Sequence, residues 1–93
     1  MELDELQRAI EAILFAAGER VEVSRLASAL ETDENEVITA ADALADELSF
    51  GRRGIRILKL ERGYQMVSSG EMADFVTNAL ETRKTPNLSS SQL

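Results

Sequence analysis

Gly51-Arg-Arg-Gly-Ile-Arg-Ile-Leu-Lys-Leu-Glu-Arg-Gly-Tyr-Gln-Met-Val67 is the stretch that decides the fold. Its first four residues have the composition of a loop. Residues 55–60 are apolar and β-branched enough for a strand, Arg62-Gly63 supplies a turn, and residues 64–67 read as the returning strand. The apolar phase slips between Ile57 and Leu58, which predicts a bulge or a strand covered on both faces.

Upstream, residues 33–48 place Val37, Ile38, Ala41, Leu44, Ala45 and Leu48 on one side of a helix. Asp33 is its expected N-cap, and Glu36 three residues on has capping-box spacing. A brief helix over 25–30, capped by Ser24, precedes it across a turn at Glu31-Thr32. The crossing of two such helices over a short turn is a helix-turn-helix. Residues 21–23 form a short extended stretch. Residues 2–17 repeat Leu3, Leu6, Ile10, Ile13, Leu14 and Ala17 at helical spacing, and Gly18 suits the left-handed position that ends the helix. Phe15 projects away from this stripe, either into a core that wraps the helix on two sides or as an aromatic anchor for a partner. Helix, short strand, helix, helix, hairpin is the order of a winged helix-turn-helix. The predicted fold is therefore α+β, mostly α, with a small antiparallel hairpin wing over residues 1–81. A last helix over 71–80 has Met72, Phe75, Val76, Ala79 and Leu80 on one face.

A reading helix approaches phosphates spaced at roughly one charge per 1.7 Å of duplex and needs cations to do so. The helix in that position carries Asp33, Glu34, Glu36, Asp42, Asp46 and Glu47, with no Lys or Arg between residues 33 and 48. It would be repelled. Arg52, Arg53, Arg56, Lys59 and Arg62 cluster around the hairpin and offer a sequence-blind route to DNA through the wing. The acidic helix beside them opposes the same duplex, and pairing with acids on a partner protein is the use their sign favours. The imbalance extends over the chain: residues 1–50 hold 13 acids against three Arg, and residues 51–93 hold four acids against seven cations. This separation suits either two solvated faces or oriented docking onto a partner or a copy of the chain.

With no Cys and no His among 93 residues, disulfides, thiolate chemistry and the commonest metal ligand and general base are excluded. The serines lack a base, Lys59 and Lys84 lack a desolvating context, and Asp46 and Glu47 point about 100° apart on a helix. Gly51-Arg-Arg-Gly54 lacks the spacing of a phosphate-binding loop and reads as a plain loop. No enzyme activity, cofactor or metal is expected. No apolar run approaches the ~20 residues of a membrane span, and a cytoplasmic address is expected by default.

Ile10-Glu-Ala-Ile-Leu-Phe-Ala-Ala-Gly-Glu-Arg-Val21, Ser24-Arg-Leu-Ala27, Gly54-Ile-Arg-Ile-Leu58 and Gly63-Tyr-Gln-Met66 together resemble the amino-terminal domain of bacterial segregation and condensation protein B. Thr85-Pro-Asn-Leu-Ser89 resembles the stretch that opens that family's second winged-helix domain, and Ser89 and Gln92 have capping-box spacing. Residues 82–93 are accordingly expected to be a linker and the start of a second domain cut off as it begins. The resemblance implies a non-enzymatic subunit of the SMC–kleisin complex that condenses and segregates chromosomes. It implies a homodimer made through this domain, bound to the kleisin subunit, segregation and condensation protein A, and through it to SMC. Specific nucleic acid and membrane contacts are not expected. Candidate interface residues are Arg8, Glu11, Ala12 and Phe15 on the first helix and Leu58, Leu60 and Tyr64 on the hairpin, with the last helix as a further candidate surface. The open alternative is a winged-helix transcriptional regulator.

Overall fold

A computed structural model describes residues 1–81, in the order α1 (Leu3–Ala17), β1 (Val21–Glu22), α2 (Val23–Leu30), α3 (Glu34–Phe50), β2 (Ile55–Leu60), β3 (Gly63–Ser68), a 3-10 turn (Gly70–Met72) and α4 (Ala73–Glu81). This is the predicted element order. Residues 82–93, with their expected linker and second-domain start, lie outside the described residues.

Leu6, Ile10 and Leu14 of α1 bury their side chains against Leu26 of α2 and Val37, Ala41 and Leu44 of α3. Leu3 and Ala17 do not join the stripe: both are exposed, and Gln7 is buried in their stead. Its amide donates to the Ala40 carbonyl at 3.5 Å, a long bond that still gives a buried polar group a partner. Gly18 ends α1 in the left-handed conformation (φ 66°), its N–H reaching the Leu14 carbonyl. Ala40 and Ala41 are fully buried where α1 and α2 cross α3, and their small side chains let the helices approach closely.

Two local expectations are corrected. Ser24 does not cap α2, which begins two residues earlier than expected, at Val23, after Glu22 with no side-chain cap. The Val23 N–H, the first free amide of the helix, donates to the Arg62 carbonyl at 2.8 Å, so the wing satisfies one of the amides at the helix start. Nor is there a bulge: β2 pairs with β3 in unbroken antiparallel register from Ile55↔Ser68 to Leu60↔Gly63. The phase slip has another cause. Ile55, Ile57 and Lys59 share the core-facing side, and Arg56, Leu58 and Leu60 the outer side, so apolar residues occur on both. The turn falls at Glu61-Arg62, with Glu61 left-handed (φ 54°), and Gly63 is already in the strand. Strand β1 joins the free edge of β3 to give the order β1-β3-β2.

Asp33 caps α3 as expected, its carboxylate accepting the Glu36 N–H at 2.9 Å. The reciprocal half of the capping box is missing, because the Glu36 carboxylate takes the Thr32 hydroxyl. Helix α3 runs to Phe50, two residues beyond the predicted end. The last helix starts later than expected, after a 3-10 turn whose Glu71 N–H is accepted by the Ser69 hydroxyl, and α4 fully buries none of its residues.

Candidate protein-interaction surface

The cations of the wing meet the acids of α3 within the same chain. Arg62 pairs with Glu34, and Lys59 reaches Asp42 at 3.3 Å. Asp42 also accepts the Tyr64 hydroxyl at 2.8 Å, and the Lys59 ammonium stands 5.9 Å from the Tyr64 ring centre. Arg52 pairs with Glu71 at 3.7 Å, and Arg56 donates to the carbonyls of Arg53 and Ile55. The wing was expected to save these charges for a partner; four of its five cations are instead engaged by their own chain. The half-exposed pairs are worth little each to stability. Their consequence is electrostatic: a duplex on the wing would have to compete with Glu34 and Asp42 for Arg62 and Lys59.

Tyr64 is not a surface residue of this chain. It is fully buried at the centre of the sheet, between Val21 on β1 and Lys59 on β2. Burial above all, then the hydrogen bond to Asp42 and its charge, push the phenol above its ordinary pKa of 10.0. Tyr64 thus ties the wing to α3, and its expected place among exposed hairpin residues is corrected.

The other candidates fall on two faces. Arg8, Glu11, Ala12 and Phe15 line one shallow groove of ≈ 280 Å³, closed on the sheet side by Ile55 and Met66. Phe15 is 79% exposed there, so the core does not wrap α1 on two sides. Leu58 and Leu60 lie on the opposite side of the hairpin, opposite Gln65 and Gly63. A third apolar face belongs to α4, where Phe75 is 70% exposed beside Met72, Val76, Ala79 and Leu80. Sequence reasoning missed Phe50, 92% exposed at the end of α3, and the part played by Ile55 and Met66. An aromatic residue immediately before Gly51, off the buried phase of its helix, was the available signal for Phe50.

No group of three or more Asp or Glu side chains among the described residues could hold a metal ion, and no described helix is long and apolar enough to cross a membrane. The site is a set of exposed apolar faces around a wing three of whose five cations are paired with acids of the same chain.

Helices, hairpin and register define a winged helix-turn-helix domain whose DNA-reading position is occupied by acids. A family model for the segregation and condensation complex subunit ScpB matches residues 8–93, and the chain belongs to that family. It is 36% identical over 84 residues to segregation and condensation protein B of Lachnoclostridium phytofermentans, covering 90% of this chain and 44% of that protein. The chain thus spans about half the length of the curated relatives it matches. The crystal structure of ScpB from Mycobacterium tuberculosis matches 97% of this chain and 56% of that one, with a TM-score of 0.87 and 28% identity. A crystal structure of a dimer of the ScpB N-terminal domain complexed with ScpA peptide matches 83% of this chain and 96% of its own, with a TM-score of 0.77 and 27% identity.

Proposed function

We propose that this chain is the dimerising winged-helix domain of a non-enzymatic scaffold subunit in a bacterial SMC–kleisin complex. Residues 1–81 form that domain, and residues 82–93, on sequence grounds, lead into a second one. Two copies pair and together help to hold the kleisin ScpA, and through it SMC, for chromosome condensation and segregation in the cytoplasm. The interface draws on Arg8, Glu11, Ala12 and Phe15, with Leu58 and Leu60 on a separate face. Tyr64 contributes from beneath by fixing the wing.

The observation that carries this reading is the pairing of apolar exposure with internal charge neutralisation. Phe15, Phe75 and Phe50 stand in solvent on a small domain, the residue type that anchors protein interfaces. Two of the wing cations that a nucleic-acid reader would present, Lys59 and Arg62, are turned onto acids of α3, and Arg52 onto Glu71. Likeness to the ScpB N-terminal domain dimer with its ScpA peptide supports the same assignment.

Fluorescence anisotropy of a labelled ScpA peptide and of a labelled duplex, at physiological salt, separates scaffold from regulator. The expected result is saturable binding of the peptide and none of the duplex. Binding of the duplex with base selectivity, and no response of the peptide, would instead make the chain a transcriptional regulator.

A further inference from the structure

Helix α4 is amphipathic and fully buries none of its described residues, Val76 alone being half-buried, its chief contact being the 3-10 turn from which it springs. An amphipathic helix is normally held by packing one face. Its apolar face, Met72, Phe75, Val76, Ala79 and Leu80, therefore calls for a cover. The same domain offers an unfilled apolar groove where Ala12 and Phe15 of α1 meet Ile55 and Met66 of the sheet. At ≈ 280 Å³ and open to solvent, it is of a scale that suits side-chain knobs.

Helix and groove lie at the same end of the sheet. The Ser69 N–H donates to the Gly54 carbonyl at 2.8 Å and Arg52 pairs with Glu71, which pins the start of α4 beside the residue that precedes Ile55. A surface and its complement side by side on one chain is what a two-fold exchange requires: each copy gives a helix and receives one.

We infer that α4 of one copy seats its apolar face in the Phe15 groove of a second copy, and reciprocally. This rests on the dimer reading and names its contact. Phe15 and Phe75 from both copies would together remove on the order of 600 Å² from water. That is a large part of the ~1,200–2,000 Å² of a stable interface, with Met72, Leu80 and Met66 supplying more.

Light scattering on complementary variants tests the exchange. Phe15 and Phe75 are exposed, so Phe15→Lys and Phe75→Asp leave the fold intact, which circular dichroism checks. Each variant alone damages both half-sites and is expected to pair on the order of 30-fold more weakly or worse. Mixed, they regain one wild-type half-site and set Lys against Asp in the other, and the two-chain mass returns. Three results would overturn the inference. If either variant alone still pairs, the dimer uses another face and the dimer reading stands. If the mixture stays monomeric, Phe15 and Phe75 do not meet across copies. If the wild-type chain is itself a monomer, inference and dimer reading fall together.

Discussion

Tyr64 hydroxyl to Asp42 carboxylate, 2.8 Å, is the bond that joins wing to helix-turn-helix. Replacing Tyr64 with Phe removes it while keeping the ring in the core, and water can reach the half-exposed Asp42 in its place. The expected cost is about 1 kcal/mol in urea denaturation at neutral pH. The pH dependence follows from the raised phenol pKa. Below the ordinary value of 10.0 both folded and unfolded chains keep the proton, and the contribution is constant. Above it the unfolded phenol ionises first, the native state holds more protons, and stability falls as pH rises. Urea titrations between about pH 9 and about pH 11 should show this decline in the wild type and a flatter one in Tyr64→Phe. At the start of α3, Asp33→Ala leaves the Glu36 amide uncapped and should cost about 1 kcal/mol, a drop of several degrees in Tm. Asp33 was legible in the sequence because a cap is a local matter of spacing. Tyr64 was not: its neighbours Val21, Lys59 and Asp42 are assembled only by sheet register and helix packing.

At the scale of elements, α3 and the wing neutralise each other through Arg62–Glu34 and Lys59–Asp42. Glu36, Asp46 and Glu47 remain as the face α3 would turn to a duplex. Reversing these three to Lys should create weak, sequence-blind DNA retardation that fades steeply with added salt, whereas the wild type shows none. Gel retardation at low and physiological salt checks both, and wild-type retardation would contradict the electrostatic account. The sequence located each strand to within a residue or so, since composition and turn residues mark a hairpin directly. It left the phase slip at Ile57-Leu58 open between a bulge and a strand covered on both faces, because the two look the same in sequence; the register is unbroken, and the outer Leu58 and Leu60 stay exposed. It also gave α2 a hydroxyl cap at Ser24, because nothing local reveals that the Arg62 carbonyl, 39 residues away, will accept the Val23 amide.

Across the whole molecule, periodicity revealed which helix faces are apolar but not which of them the domain itself covers. The stripes of α1 and α3 found one another, and Leu6, Ile10, Leu14, Val37 and Leu44 form the core. The equally regular stripe of α4 and the side chain of Phe15 found no cover among the described residues. That difference is tertiary, and it is where function enters: an uncovered stripe on a small domain is an invitation to a partner. The account stands on self-association, and light scattering across a concentration series at micromolar protein tests it most directly. It predicts a mass of twice the 10.2 kDa chain, falling toward one chain only on dilution. A single-chain mass at every concentration would contradict it.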